Sequence, residues 1–453
     1  MNRKEIDRDL IERHSAPVPR YTSYPTAPHF HAGVDAQTYA TWLSESPADA
    51  SLSLYLHIPF CDRLCWFCAC HTKQVLRYDP ISAYLEALHA EIATVGALLG
   101  GRKVKAVHLG GGSPTMLRAD DVDRLAAALR QGFAFAGDCE ISLEVDPNDI
   151  SEDKLDAWAR FGVTRASFGV QDFDETVQRV INRLQSFVDT AEAVAGFRAR
   201  GVGSVNLDVL YGLTHQTIET LAATVEQVIS LRPDRVALFG YAHVPWMKKH
   251  QRLIDETQLP DGYARFAQAR LGASMLEEAG YVAVGLDHFA LPEDSMAQAL
   301  ADGSLHRNFQ GYTTDGAEML IGLGASSIGR LPQGYVQNVA ATAEYSRVAL
   351  AGKLSVARGY ALDDSDRAAA WLIEQIMCGF GFSAAELRRR FPGQASHLLA
   401  QATGIAQNDL DRFVGWDGDD FRVTQRGRPF VRAVASRFDA FLKRDDQRHS
   451  IAV

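Results

Sequence analysis

Short β-rich runs alternate with amphipathic helical segments between about residue 50 and residue 330, and this alternation constrains the fold more than any other feature of the chain. Apolar residues between the β-rich runs keep the 3.6-residue period of a helix, as at Leu85, Leu88, Ile92 and Val95. The pattern predicts an α/β fold with a parallel sheet and right-handed crossovers. It leaves open whether the sheet is of the Rossmann type or a barrel. The predicted strands are Leu52 to Ile58, Val104 to Leu109, Ile141 to Val145, Ala166 to Val170, Val205 to Leu210 and Val236 to Phe239.

Chemically unusual groups stand at the C-terminal end of each predicted strand, and they favour a barrel. In a parallel α/β barrel these strand ends gather at one mouth, where the active site lies. We therefore expect a whole or partial barrel with a site at that mouth. In chain order the groups are a cysteine cluster, Gly110-Gly111-Gly112, Glu144, Gln171, Asp208 and Tyr241-Ala242-His243.

Two further regions flank this central segment. Residues 1–50 form a predicted N-terminal arm over the active site, with a polar and aromatic stretch from Arg20 to Pro25. Residues 51–350 are predicted to hold the barrel and its extension, and residues 351–453 a mainly helical, winged-helix-like C-terminal domain. For that last domain we expect packing or a lid function in preference to DNA binding.

Charge and hydropathy exclude several classes of partner. Lys and Arg number 46 and Asp and Glu 56, which gives a formal charge of −10 and no basic excess for nucleic acid. The N-terminus lacks the apolar stretch of a signal peptide, and no segment reaches the roughly 18 uncharged apolar residues of a membrane span. We therefore expect a cytoplasmic protein with no membrane span and no nucleic acid partner.

Four of the six cysteines fall within ten residues, at Cys61, Cys65, Cys68 and Cys70. In a reducing compartment such clustering indicates metal ligation or redox chemistry instead of disulfides. Structural zinc commonly uses two separated pairs of ligands, and no second pair follows downstream. Three thiolates spaced C-x3-C-x2-C can instead hold three irons of a [4Fe-4S] cluster and leave the fourth iron open to an external ligand. The two isolated cysteines, Cys139 and Cys378, are interpreted as core thiols.

The cysteine spacing and several other motifs together resemble the oxygen-independent coproporphyrinogen III oxidases of the radical S-adenosylmethionine (SAM) superfamily. The resemblance runs from Arg20 to Arg428 and so covers nearly the whole chain. It implies a partial parallel (β/α)6-type barrel with an N-terminal arm and a small, mainly helical C-terminal domain. The motifs are HIPFC at His57–Cys61, Cys68-Ala69-Cys70, GGGSPT at Gly110–Thr115, Asn182-Arg183, Tyr211-Gly212-Leu213, Tyr241–Pro245 and Asn308–Thr314.

The resemblance also implies an activity, its cofactors and its partners. Members of this family carry out the oxidative decarboxylation of coproporphyrinogen III to protoporphyrinogen IX in haem and porphyrin biosynthesis. Two propionates become vinyl groups through a 5′-deoxyadenosyl radical derived from SAM. The implied cofactors are one [4Fe-4S] cluster and two SAM molecules. A low-potential electron donor such as flavodoxin is the expected protein partner, and the expected state is a monomer.

Individual site residues follow from the same resemblance. Cys61, Cys65 and Cys68 would ligate the cluster, and Tyr55 and Cys70 would take part in catalysis. Glycines let the protein main chain approach the methionine moiety of SAM closely. Carboxylates can accept hydrogen bonds from ammonium and hydroxyl groups, and arginine can pair with a carboxylate. The implied SAM contacts are Tyr55, Phe67, Gly111, Gly112, Ser113, Glu144, Gln171, Arg183, Asp208, Ala242 and Ile328.

Several alternatives stay open at this point. Tyr55 and Phe67 could be packing residues, and Cys70 could be a spare ligand, a group on the substrate side or a small core residue. A substrate with four carboxylates requires a local basic patch, for which Arg20 and Arg307 are candidates by position. A haem chaperone of the same lineage and a radical enzyme acting on tRNA or haem are the rival functions. The N-terminal arm and Cys70 favour the oxidase.

Overall fold

The computed structural model describes residues 8–442, so the outer ends of the predicted arm (1–7) and of the predicted C-terminal domain (443–453) lie outside the described residues. Its centre is a 12-stranded sheet whose middle consists of neighbouring parallel strands. In spatial order these are Met319–Leu323, Leu52–Ile58, Lys103–Gly111, Ala134–Val145, Arg165–Gln171, Ser204–Tyr211 and Arg235–Gly240.

All the predicted strands lie within this parallel sheet, so the α/β prediction is confirmed. In Leu52–Ile58 the apolar residues stand at every second position and share one face of the strand, where Leu52, Leu54, Leu56 and Ile58 are each 0% exposed. The polar residues Ser53, Tyr55 and His57 share the opposite face. One parallel strand was not predicted. It is Met319–Leu323, which pairs with Leu52–Ile58 on the side away from Lys103–Gly111.

Antiparallel strands extend the sheet at both edges and leave it open, as in a partial barrel. Ile328–Leu331, Gly334–Asn338 and Val356–Ala361 continue one edge, and His288–Ala290 with Val282–Val284 continues the other. Val356–Ala361 follows residue 350 in sequence but pairs with the large sheet. Two short pairs stand apart from it, namely Phe60–Cys61 with Lys73–Gln74 and His306–Asn308 with Gly311–Thr313.

Helices cover the sheet and bury their apolar faces against it. In the helix Asp79–Leu99, the predicted face of Leu85, Leu88, Ile92 and Val95 is no more than 1% exposed. The α-helices up to residue 350 are Arg8–His14, Ala36–Glu45, Asp79–Leu99, Ala119–Gly132, Glu152–Phe161, Glu175–Val180, Phe187–Ala199, Ile218–Ser230, Gly262–Glu278, Ser295–Asp302 and Thr342–Leu350. Short 3-10 turns occur at Ala27–His29, Pro114–Met116, Pro147–Asp149, Lys249–Leu253, Glu256–Gln258, Arg428–Phe430 and Ser436–Phe438.

The C-terminal part has its own apolar core, and the N-terminal arm packs into it. Leu10, Ile11, Tyr21 and Tyr24 of the arm join this core, and the Tyr21 hydroxyl donates to Asp439 Oδ2 at 2.9 Å. None of the helices among residues 8–442 has the length and apolar character needed to cross a bilayer. The elements of this part are the helices Asp364–Gly379, Ala384–Arg390, Ala395–Gln407 and Val431–Ala435, and the strands Gly381–Ser383, Val414–Trp416 and Asp420–Val423.

Candidate active site

The cysteine-rich loop of residues 61–70, here named the cluster loop, begins at the carboxyl end of the strand Leu52–Ile58. The glycine triplet after the next strand holds its entry, because Gly112 N donates to Ile58 O at 2.8 Å and Ser113 N donates to Phe60 O at 2.7 Å. A Cβ atom on Gly112 would lie 2.4 Å from Phe60 O, so only glycine allows this approach. The two motifs that stood apart in the sequence thus form one unit.

A second segment, residues 246–253, holds the other side of the cluster loop and is named the clamp segment. Three of its side chains donate to main-chain carbonyls of the loop: Lys248 Nζ to Cys70 O at 2.8 Å, His250 Nε2 to Cys68 O at 2.7 Å and Gln251 Nε2 to Phe67 O at 2.8 Å. Three main-chain carbonyls of the cluster loop are therefore satisfied by side chains from outside the loop.

The thiols of the cluster loop differ in their surroundings. Burial raises the pKa of Cys61 and of Cys65, whereas a hydrogen bond with Cys70 lowers the pKa of Cys68 to about 7. Cys65 Sγ accepts from Arg183 Nη1 at 3.6 Å, and Cys68 Sγ accepts from Cys70 N at 3.4 Å. N–H donors directed at sulfur are among the groups that tune protein-bound iron–sulfur clusters. Three sulfur donors on one loop with such support fit a [4Fe-4S] cluster better than a closed zinc site.

Glu144 lies against the glycine triplet. Its Oε2 accepts from Gly111 N at 3.0 Å, and its Oε1 lies 3.1 Å from His108 Nε2. A Cβ atom on Gly110 would lie 2.4 Å from Oε1, so a side chain at this position would displace the Glu144 carboxylate. Burial opposes ionisation of Glu144, but the hydrogen bonds from His108 and Gly111 outweigh it, and the pKa of Glu144 is lowered. Glu144 is therefore an anion held at the carboxyl edge of the sheet.

Tyr55 and His57 form a hydrogen-bonded pair on the first parallel strand. His57 Nε2 lies 2.9 Å from the main-chain oxygen of His71, which can only accept, so Nε2 carries the proton. His57 Nδ1 is then the acceptor at 3.0 Å from Tyr55 Oη. Burial lowers the pKa of His57, consistent with a neutral ring. The hydroxyl hydrogen of Tyr55 is thus engaged, while its oxygen can still accept.

Arg183 lies in an ionic network that the sequence analysis did not anticipate. Besides Cys65, it donates from Nη1 to Asp146 Oδ2 at 3.2 Å and from Nη2 to Gly169 O at 2.7 Å. Arg63 Nη2 donates to the same Asp146 oxygen at 2.5 Å. Asp146 follows the strand Ala134–Val145 directly, so it could have been predicted as a site residue from its place at a strand end, as Glu144 was.

Asp208 and Gln171 lie at the same end of the sheet as Glu144. Asp208 accepts from Asn206 Nδ2 at 2.7 Å and from Ser167 Oγ at 3.3 Å, and burial raises its pKa to about 6. Gln171 ends its strand with a φ of 66°, which is uncommon for a residue with a side chain. A polar cavity of about 230 Å³ lies between these strands and is lined by His108, Glu144, Ser167, Asn206 and Asp208, among others.

The remaining predicted contacts lie around the cluster loop and at the sheet edge. Ser113 Oγ donates to Asp149 Oδ2 at 2.6 Å, and Phe67 packs against an apolar cluster that contains Ile181 and Leu213. Ala242 is half-buried, with its carbonyl accepting from Gln251 Nε2 at 3.2 Å. Ile328 is half-buried at the start of an antiparallel strand. These positions are compatible with packing as well as with ligand contact.

Arg20 and Arg307, the candidates for carboxylate binding, both line a separate cavity of about 710 Å³. Ala242 also lines that cavity. The structure therefore brings the two arginines together on a surface that adjoins the clamp segment. Arg307 Nη2 donates to Arg20 O at 3.2 Å, which joins them directly.

Comparison with known proteins gives consistent matches. The model of the radical SAM superfamily matches residues 55–228. An oxygen-independent coproporphyrinogen III oxidase from Bradyrhizobium diazoefficiens is 50% identical over 437 residues, covering 96% of this chain and 97% of the relative. The Escherichia coli enzyme of that name is 37% identical over 446 residues, 98% of this chain and 97% of its own. The solved structure of coproporphyrinogen III oxidase (HemN) from Escherichia coli, a radical SAM enzyme, matches with a TM-score of 0.90 and 36% identity over 96% of this chain and 99% of that one. By fold and by sequence along nearly its whole length, the chain belongs to the oxygen-independent coproporphyrinogen III oxidase family of radical SAM enzymes.

Proposed function

We propose that this chain catalyses the oxygen-independent oxidative decarboxylation of coproporphyrinogen III to protoporphyrinogen IX. The observation that carries the proposal is the arrangement of the cluster loop. Cys61, Cys65 and Cys68 lie on one loop at the carboxyl edge of a parallel sheet, with Arg183 donating to Cys65 Sγ. The high identity to proteins named for this reaction supports it.

Membership of the radical SAM superfamily implies a [4Fe-4S] cluster and SAM. In this chain Cys61, Cys65 and Cys68 would hold the cluster, which leaves one iron for the methionine part of SAM. When bound, cluster and SAM together supply a 5′-deoxyadenosyl radical that can take a hydrogen atom from a propionate side chain. Cys70 is the exposed member of the four cysteines, and its part in catalysis stays a prediction.

The side chains around the loop are suited to bind and orient SAM. Glu144 is ionised and accepts hydrogen bonds, which suits an ammonium group or ribose hydroxyls. Tyr55 Oη can accept a further hydrogen bond because its own hydrogen is directed to His57. Gly111 and Gly112 keep the main chain accessible, and Asp208 and Gln171 provide further polar groups. We propose that two SAM molecules bind beside one cluster.

Arg183 would act mainly by positioning. Its Nη groups are engaged with Cys65, Asp146 and Gly169, which joins the cluster loop to the strand ends beyond it. Its Nε is buried and has no hydrogen-bond partner in the described structure, so this N–H is available to a bound carboxylate.

The alternative of a haem chaperone is not favoured, because relatives that match nearly the whole chain carry the oxidase name. The low-potential electron donor, the monomeric state and the cytoplasmic location stay predictions. The rival of a radical enzyme acting on tRNA finds no support in the net charge of −10.

The decisive experiment is anaerobic incubation of the reconstituted protein with SAM, a low-potential reductant and coproporphyrinogen III. Protoporphyrin fluorescence after oxidation of the products should increase with time and should be absent from a Cys65→Ala variant. Release of carbon dioxide should accompany it in a ratio of about two per product, because two propionates become vinyl groups. Tight stoichiometric haem capture without turnover would contradict the proposal and indicate the chaperone.

A further inference from the structure

The cavity of about 710 Å³ beside the clamp segment is rich in arginine. Its walls come from the end of the strand Arg235–Gly240, the helix Gly262–Glu278, the N-terminal arm and the C-terminal part of the chain. We name it the arginine cavity. The arginines that line it are Arg20, Arg265, Arg270, Arg307, Arg428 and Arg432.

Two of these guanidinium groups have buried N–H donors with no hydrogen-bond partner among residues 8–442. Arg307 is only 9% exposed, and its Nε and Nη1 are unpartnered in the described structure. Arg265 Nε is likewise buried and unpartnered. A buried donor without an acceptor costs free energy of folding, and the cost is larger on a charged group. An anion that accepts from them inside the cavity would remove that cost.

No acid around the cavity accepts a hydrogen bond from these donors within residues 8–442. Asp287 is the acid whose charge reaches the arginines: its pKa is lowered against burial by His288 first, and then by the charges of Arg307 and Arg20. Asp261 pairs with Arg8 at 2.7 Å, Glu256 lies 2.9 Å from His243 Nε2, and Asp287 lies 2.8 Å from His288 Nδ1. Glu277 is the remaining acidic residue in the lining.

The arginines instead use main-chain acceptors within the described chain. Arg20 donates to Gly240 O at 3.0 Å, Arg265 to Tyr241 O at 2.8 Å and Arg307 to Arg20 O at 3.2 Å. None of these three forms an ion pair with a described carboxylate within 4 Å.

The positive charges also crowd one another. Burial, with the charges of Arg20 and Arg307, lowers the pKa of Arg432 to about 9. Burial and the charge of Arg20 lower the pKa of Arg265 as well. Bringing several cations together in a partly desolvated space is unfavourable unless a negative charge joins them. The whole chain carries a net charge of −10, so this concentration of arginine is a local feature.

We propose that the arginine cavity binds propionate carboxylates of the tetrapyrrole substrate, in particular those that are not at the reacting centre. This inference rests on the proposed function, in which two of four carboxylates survive the reaction. The planar fork of arginine matches a carboxylate with two parallel hydrogen bonds. Ala242 lines the cavity, and Gln251 bonds to both Ala242 O and Phe67 O, so the cavity adjoins the cluster loop.

The test uses the reconstituted full chain and coproporphyrin III, the stable oxidised form that keeps the four propionates. Arg20 and Arg428 are exposed on the cavity wall, and the guanidinium of Arg428 lies 4.6 Å from the Phe380 ring. We expect Arg20→Gln and Arg428→Gln each to weaken coproporphyrin III binding about tenfold in a fluorescence titration, the loss of one charge-assisted contact. Arg428→Lys should give a smaller loss, because it keeps the charge without the fork.

Arg388→Gln is the matched control, because Arg388 is exposed in the C-terminal part and lines none of these cavities. It should change binding by less than about twofold. Unchanged binding in both Arg20→Gln and Arg428→Gln would overturn the proposal. So would inorganic pyrophosphate binding that depends on these arginines while coproporphyrin III binding does not, which would identify a phosphate site.

The binding titration is separate from turnover, so the two proposals can fail independently. A wild-type chain that binds coproporphyrin III through these arginines but forms no vinyl product would refute the proposed reaction and support the cavity. If the wild-type chain forms vinyl product and both arginine variants bind coproporphyrin III normally, the carboxylate-binding proposal is wrong and the proposed reaction stands. In an active enzyme the same variants should raise KM for coproporphyrinogen III by about the factor seen in the titration.

Discussion

Arg183 Nη1 donates to the sulfur of Cys65 at 3.6 Å although 118 residues separate the two in the chain. The same nitrogen donates to Asp146, which also accepts from Arg63. One buried guanidinium therefore joins a cysteine of the cluster loop to the end of the third predicted strand. This contact explains why an arginine, with several donors in a fixed plane, stands at this position.

Removing Arg183 should destabilise the fold as well as the site. Arg183 is 8% exposed and Asp146 is 9% exposed, and breaking a buried ion pair from one side costs about 3 kcal/mol or more. We expect Arg183→Met to lower the free energy of unfolding by about that amount in urea titrations. Arg179→Met is the control, because Arg179 pairs with Glu175 on the surface and should cost less than about 0.5 kcal/mol. Equal losses of unfolding free energy in the two variants would show that the buried Arg183 network stabilises the fold no more than the surface pair of Arg179.

Gly111 should not tolerate a side chain. Its φ is 108°, and a Cβ atom would lie 2.5 Å from the His57 ring. We expect Gly111→Ala to cost about 2 kcal/mol or more of stability and to impair SAM binding, because His57 and the N–H donor to Glu144 must both move. Gly137→Ala is the control and should be nearly neutral, because its added Cβ would meet no atom of the described residues within 4 Å apart from those of its chain neighbours. Thermal unfolding and equilibrium dialysis with SAM measure the two effects, and a stable Gly111→Ala protein with normal SAM affinity would contradict this account.

Asp208 should make SAM affinity depend on pH. Burial raises its pKa to about 6, so the carboxyl is largely protonated at about pH 5 and largely ionised at about pH 7. If the cationic SAM binds the ionised form, affinity should rise about tenfold over that interval and should be flat in Asp208→Asn. The pH dependence of stability has the opposite sign to that of SAM affinity. A carboxyl with a raised pKa in the folded state makes folding less favourable as pH rises from about 4 through about 6. The advantage of Asp208→Asn in unfolding free energy should therefore grow over that range, and a constant difference would contradict the assigned pKa.

Cys70 should be dispensable for cluster assembly. Cys61, Cys65 and Cys68 have the spacing of three ligands, and Cys70 is the exposed cysteine that follows them. We expect Cys70→Ala to retain close to the wild-type content of iron and sulfide after anaerobic reconstitution, whereas Cys65→Ala loses most of it. Colorimetric iron and sulfide assays give the comparison. A loss in Cys70→Ala equal to that in Cys65→Ala would mean that the loop supplies four ligands.

Much of the parallel sheet could be predicted because its signals are local. Strands such as Leu52–Ile58 and Ser204–Tyr211 carry buried apolar residues at every second position, which is the period of a strand and can be seen in the sequence. The strand Met319–Leu323 is as buried as these but short, and it was missed because nothing local says that a distant segment pairs with the first strand. Glu144 could be selected from its place after a strand, whereas its contact with Gly111 N depends on two neighbouring strands in register.

The strand–helix alternation and the three-cysteine spacing are properties of short stretches of chain, so both could be predicted before the fold was known. Three contacts could not be predicted in this way: Arg183 with Cys65, Arg183 with Asp146, and Arg20 with Arg307 in one cavity. These pairings join residues more than 30 positions apart, and their partners are set by strand order and by the docking of the arm on the C-terminal core. Periodicity reports which face of an element is buried, but contacts between elements follow from packing in three dimensions.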